Sequence, residues 1–130
     1  MSSLRSGALP WLAGLAAALV VVGCSSPGRA VPSGESQLGD PERGSRLISD
    51  YGCGSCHVVP GVRDADGQVG PPLTEFGRRS YVAGMLPNNA ENLQRWIRDP
   101  QDVVPGNAMP DLGVSTIDAR DIAAYLLSLE

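Results

Sequence analysis

The apolar positions of this chain change their spacing along its length. Residues 8–22 form a continuous run rich in Ala, Leu and Val, preceded by Arg5. A run of about 15 residues is short of the roughly 20 that a membrane-crossing helix needs. Residues 1–23 are therefore expected to be a targeting segment with a positive start and an apolar middle. Residues 24–39 lose the apolar pattern and are rich in Ser, Gly and Pro, which predicts a flexible tether with an r.m.s. reach of about 20 Å.

From residue 40 onward the pattern turns helical. Asp40-Pro41-Glu42 combines a capping residue, a proline at the first helical position and an acid at the positive helix end. The helix it opens carries Leu47, Ile48 and Tyr51 on one face and is expected to run to about Tyr51-Gly52. Gly44 within it costs about 1 kcal/mol against Ala and suits a close helix crossing. Residues 60–70 show no period and predict a surface loop in which Asp64 and Asp66 are solvated acids. Residues 78–84 are expected to form a short helix. Asn88 or Asn89 caps the next one, with Leu93, Trp96 and Ile97 on one face and Asp99-Pro100 as its stop. Residues 103–113 are punctuated by Pro and Gly and predict a loop. Ser115-x-x-Asp118 then starts a last helix whose Ile122, Tyr125, Leu126 and Leu129 recur at helical spacing. The expected organisation is leader 1–23, tether 24–39 and one all-α domain, 40–130.

Composition narrows the function. All ten basic residues are Arg, against fourteen acids, for a net charge of −4. No basic run points to nucleic acid. With one Phe, 16 Gly and 11 Pro in 130 residues, the aliphatic core is small, and a buried prosthetic group would supply the missing apolar bulk.

Cys53-Gly54-Ser55-Cys56-His57 is the C-x-x-C-H attachment signature of a c-type haem. Two thiols about one helical turn apart can add to the two vinyl groups on one edge of a porphyrin, and His57 then offers its imidazole to the iron. A structural zinc site would want four ligands, usually as two pairs, and a thioredoxin-like dithiol would want a βαβ context; neither is visible. A proline carbonyl in Gly70-Pro71-Pro72-Leu73 can accept from the free nitrogen of that histidine and fix its ring. His57 is the sole histidine, so a second iron ligand must be another residue type. A Met thioether favours Fe(II) and raises the potential. Met109, in Pro105-Gly106-Asn107-Ala108-Met109-Pro110, is the first candidate and Met85 the second. An iron left open on that side would instead give a gas sensor or a peroxide-reducing haem protein.

Cys24 follows Val21-Val22-Gly23, a stretch that resembles the lipobox of bacterial lipoproteins. That resemblance implies acylation of Cys24 and cleavage before it, and so a domain held at the outer, periplasmic face of a bacterial cytoplasmic membrane. An uncleaved anchor and an ordinary cleaved leader are the alternatives.

Residues 40–130 as a whole resemble the class I (mitochondrial-type) cytochrome c family. The correspondence rests on Gly44 in the first helix, the Cys53–His57 motif, Gly70-Pro71 with Leu73, Pro105-Gly106 before Met109, and Tyr125 in the last helix. Segments 83–101 and 105–110 are similar, more narrowly, to cytochrome c domains fused to subunit II of caa3-type oxidases and to their stand-alone relatives. The resemblance implies a cytochrome c fold around one covalent haem c, with His57 and Met109 as iron ligands and Gly44 packed against Tyr125. It implies the Pro71 carbonyl as the partner of the His57 ring, Trp96, Arg78 and Asn107 at the haem propionates, and an electron carrier rather than an enzyme. It further implies a quinol–cytochrome c reductase as donor and a terminal oxidase as acceptor. With no Lys in the chain, docking would use an Arg cluster or an apolar patch.

Overall fold

A computed structural model describes residues 39–130 of the chain. The expected leader, the tether up to residue 38 and the acylation candidate Cys24 lie outside the described residues. Four helices dominate: α1 (Pro41–Asp50), α2 (Ala90–Arg98), α3 (Pro100–Val103) and α4 (Thr116–Leu127). Two 3-10 turns, Cys53–Ser55 and Phe76–Arg78, and a two-stranded hairpin, β1 (Tyr81–Val82) with β2 (Leu86–Pro87), complete the domain.

The helix starts follow the cap chemistry. The Asp40 carboxylate accepts from the N–H groups of Glu42 and Arg43, the Asn89 amide oxygen accepts from Asn92, and the Ser115 hydroxyl accepts from Asp118. Each satisfies backbone donors that the helix itself leaves unpaired. At the other end of α1, Tyr51 is the cap and Gly52 turns the chain at φ +70°, so this helix is a residue or two shorter than its apolar face suggests. Leu129, expected on the face of α4, lies past its end, and its carbonyl accepts instead from Gly77 N–H at 2.7 Å.

The core lies where α1 and α2 both pack on α4. Ile48, Leu93 and Ile122 are each at most 2% exposed, and full burial of such a side chain contributes roughly 1.5–3 kcal/mol. Ala119 and Ala123 are fully buried, and their small side chains let the neighbouring helices come close. Gly44 is the matching feature on α1. A Cβ there would lie 3.0 Å from the Tyr125 Cβ and 2.6 Å from the Asp121 carbonyl carbon, so Gly44 meets the backbone of α4 at Asp121 and the side chain of Tyr125 beside it, an approach that needs glycine. Beside this crossing the buried Asp121 accepts from Asp40 N–H at 2.9 Å and from the Arg43 guanidinium. Arg43 also pairs with Asp118, which accepts in turn from the Tyr51 hydroxyl. These bonds offset the desolvation of the Asp121 charge.

Two expectations about local structure are corrected. Residues 78–84 do not form a helix. The chain makes the 3-10 turn Phe76–Arg78 and then the β1–β2 hairpin, with Tyr81 opposite Pro87 and Val82 opposite Leu86. Tyr81 faces solvent and Val82 is buried, a two-residue alternation in place of a helical stripe. Ala83 and Gly84 both have positive φ, +52° and +69°, which is the backbone of a type I′ hairpin turn. The Met85 N–H closes it on the Val82 carbonyl at 3.1 Å. The second correction is that the stretch after Asp99-Pro100 begins with a one-turn helix, α3. Asp99 ends α2 and caps α3, accepting from Asp102 N–H at 3.0 Å, and Pro100 takes the first helical position.

Candidate functional site

Cys53 and Ser55 lie in the 3-10 turn that follows α1. Gly52 allows the sharp entry, Cys56 N–H bonds to Cys53 O at 3.2 Å, and His57 N–H bonds to the same carbonyl at 3.0 Å. The loop 60–70 is not loose. It folds back over this turn, with Gly67 N–H on Gly54 O at 3.0 Å and Gly70 N–H on Cys56 O at 2.8 Å. Gly54 is buried, and a Cβ on it would lie 2.7 Å from Ala65. The motif is thus held in place largely by backbone contacts.

The imidazole is fixed on two sides. Its Nδ1 lies 2.7 Å from the Pro71 carbonyl. A carbonyl can only accept, so Nδ1 carries the hydrogen, and the lone pair of the neutral ring resides on Nε2, the nitrogen left for a metal. Gly70 supplies the second constraint: a Cβ there would stand 2.7 Å from Nδ1 and 2.9 Å from Nε2. The ring therefore leans on a glycine that no other residue could replace without moving it.

Cys53, Cys56, His57 and Pro71 border a cavity of about 330 Å³, within the size range of small-molecule and cofactor sites. Its walls come from every helix except the shortest: Ile48 of α1, Leu93, Trp96 and Ile97 of α2, and Ile122 and Leu126 of α4. Val82 and Ala83 of the hairpin close one side, and the loop carrying Asn107 and Met109 closes another. The lining is overwhelmingly apolar. Burial among such groups pushes the Cys53 thiol above its ordinary pKa, because a thiolate is poorly solvated there. An apolar slot with two thiols and a histidine on one wall and a thioether on its border fits a porphyrin joined to the protein through both cysteines. Cys53 and Cys56 would hold its edge and His57 would meet its iron.

The remaining expected site residues separate. Met109 is half-buried and lines the cavity, whereas Met85 is 64% exposed on the hairpin and lies off it. Trp96 lines the cavity through its position on α2. Arg78 does not line it: its guanidinium pairs with Glu75 at 3.6 Å on the exposed side of the 3-10 turn. The neighbouring Arg79 does reach the wall, stacking 5.0 Å over the Phe76 ring and donating to the carbonyls of Pro72 and Thr74. A 3-10 turn rotates successive side chains by about 120°, which exchanges the roles of adjacent arginines. Asn107 lines the cavity, but both hydrogens of its amide go to protein carbonyls, Pro100 at 2.9 Å and Val104 at 2.7 Å. In this structure it is an anchor for its own loop and leaves no donor over for a propionate. Asp64 and Asp66 are exposed, and no group of three or more metal-ligating side chains occurs among the described residues.

Residues 41–130 match the family model "Cytochrome c". Three curated relatives are similar to part of this chain, and each is a "Cytochrome c oxidase subunit 2". The one from Alkalihalophilus pseudofirmus is 43% identical over 89 residues, covering 68% of this chain and 25% of the relative. The one from a Bacillus species is 40% identical over 89 residues, 64% of this chain and 24% of the relative. That of Bacillus subtilis is 35% identical over 86 residues, 65% of this chain and 24% of the relative. The chain thus spans about a quarter of the length of these relatives. The helical wrap around an apolar cavity, the Cys53–His57 motif on its wall and the match over residues 41–130 lead to one conclusion: the chain belongs to the cytochrome c family, carries covalent haem c and works in electron transfer.

Proposed function

We propose that this protein is a monohaem electron carrier of a bacterial respiratory chain, with His57 and Met109 as its two iron ligands. Its donor is a quinol–cytochrome c reductase, its acceptor a terminal oxidase, and a lipid on Cys24 tethers it to the outer face of the cytoplasmic membrane. The observation that carries this reading is the placement of His57 and Met109, 52 positions apart in sequence (109 − 57), on the border of one apolar cavity.

When bound, the haem supplies a one-electron couple between Fe(III) and Fe(II). The protein's part is to hold the two ligands still and keep water out. Pro71 orients the His57 ring and strengthens its donor nitrogen through the bond at Nδ1. The wall of Ile48, Leu93, Ile97 and Ile122 keeps the surroundings of low polarity, which disfavours the extra positive charge of the oxidised state. Trp96 and Arg79 are the polar-tipped side chains on the wall suited to the acidic edge of the group. The similarity to oxidase subunits supports a terminal oxidase as acceptor.

The decisive experiment is Met109→Ala in the oxidised holoprotein. The weak thioether-to-iron band at the red edge of the visible spectrum should disappear, and the ferrous form should gain carbon monoxide binding. Persistence of the band would remove Met109 from the iron. For the tether, Cys24→Ser should release the protein from membranes into the soluble fraction.

A further inference from the structure

The loop that carries Met109 is held by side chains rather than by its own backbone. Among the described residues, the backbone bonds between Pro100 and Met109 outside α3 are few: Val104 N–H to Pro100 O at 3.0 Å and Asn107 N–H to Val104 O at 3.2 Å. Pro105 has no N–H to give, and Gly106 sits at φ +80°. Two carboxamides do the rest. Gln101, on α3, accepts from Gly106 N–H at 3.0 Å. Its Nε2 donates to the carbonyls of Asn107 at 3.1 Å and Met109 at 3.0 Å. Asn107 donates to Pro100 and Val104 and accepts from Met109 N–H at 2.7 Å.

Every hydrogen of both amides is used, and Met109 is gripped at its N–H by one and at its carbonyl by the other. A carboxamide is the only uncharged side chain with two donors and an acceptor on one rigid plane. That chemistry matches what this loop requires: two carbonyls facing one side chain, with an amide N–H beside them.

We infer that Gln101 and Asn107 are positioning residues that clamp Met109 on the cavity and so govern how readily its sulfur yields the iron to another ligand. This rests on the reading that Met109 is the second iron ligand. The clamp holds the backbone on both sides of the Met109 side chain, so loosening it frees the sulfur to leave without disturbing the helices that form the core. Gln101 is exposed, and its removal opens no cavity.

The test uses the oxidised full-length holoprotein. Gln101→Leu removes all three bonds, and Gln101→Glu keeps the shape and the acceptor but removes both donors. Each is titrated with imidazole, and separately with base, following the thioether band. The net worth of two or three hydrogen bonds corresponds to about a 10- to 100-fold gain in imidazole affinity, with a lower midpoint pH for loss of the band. Arg95→Gln, which breaks the exposed ion pair to Asp102 of α3 at 2.7 Å, should leave both readouts at wild-type values. Imidazole affinity within twofold of wild type in both Gln101 variants, with the band intact, would overturn the clamp. An equal gain in Arg95→Gln would overturn it as well, by showing that any loosening of α3 suffices. Met109→Ala separates the two claims: if the band survives there, the ligand assignment fails. If it vanishes there while the Gln101 variants behave as wild type, the clamp alone fails.

Discussion

Gly44→Ala opposes two effects of known sign. In an isolated helix the change stabilises by about 1 kcal/mol, because glycine is the poorer helix former. In this fold the new methyl would lie 2.6 Å from the carbonyl carbon of Asp121 and 3.0 Å from the Tyr125 Cβ. The nearer obstacle is backbone, so no rotamer change relieves the clash, and α4 must move away from α1. Overpacking of this kind costs about 1–3 kcal/mol, and a backbone obstacle sets it at the top of that range or beyond. The net loss is then about 2 kcal/mol or more, equivalent to a fall in melting temperature of about 8–16 °C for a domain of this size. Equilibrium guanidinium unfolding of the holoprotein, followed by helix circular dichroism, measures it as a lower midpoint at unchanged slope. A variant as stable as wild type, or more stable, would refute the reasoning, because helix propensity would then outweigh the contact.

Other changes test the site and its support. Gly70→Ala places a methyl against the His57 ring; it should perturb the iron spectrum while helix circular dichroism keeps its wild-type shape, and an unaltered spectrum would count against the contact. Tyr125→Phe removes the hydroxyl that donates to the Pro60 carbonyl and should cost about 1 kcal/mol, read as a drop of about 4–8 °C in the melting temperature. Asp118 is held below its ordinary pKa of 3.8 by hydrogen bonds from Tyr51 first, then Ser115, and by Arg43. A depressed carboxylate pKa stabilises the fold above the unfolded value, and that contribution is lost as pH falls through the folded one. Stability should therefore decline from about pH 4 downward, and Tyr51→Phe should flatten this decline; an identical acid profile in that variant would exclude the coupling.

The helices were legible because each carries both a period and a chemical start. Asp40-Pro41, Asn88 or Asn89, and Ser115 mark the first turns, the structure choosing Asn89, and Ile48, Leu93 and Ile122 name the buried faces. The β1–β2 hairpin was not, because two residues per strand are too few to show an alternation, and Ala83 is an unusual occupant of a left-handed turn position. Helix α3 was hidden for the same reason: one turn has no period, and Asp99-Pro100 looks the same as a stop or a start. The motif residues Cys53 to His57 could be read from spacing, and the partner Pro71 from the family resemblance. The choice between Arg78 and Arg79 could not, because it depends on the phase of a 3-10 turn. Gln101 left no trace at all, since a side chain bonding to backbone carbonyls imposes no pattern on its neighbours.

The bond from Asp40 N–H to the Asp121 carboxylate joins residues 81 positions apart, and the Gly44 approach closes nearly the same span. Bringing the ends of so long a segment together costs on the order of 4 kcal/mol in chain entropy, which the contacts between α1 and α4 must offset. Synthesis proceeds from the N-terminus, and one wall of the cavity belongs to α4. The slot cannot close until α4 has been made, so the two thiols stay within reach of solvent until then.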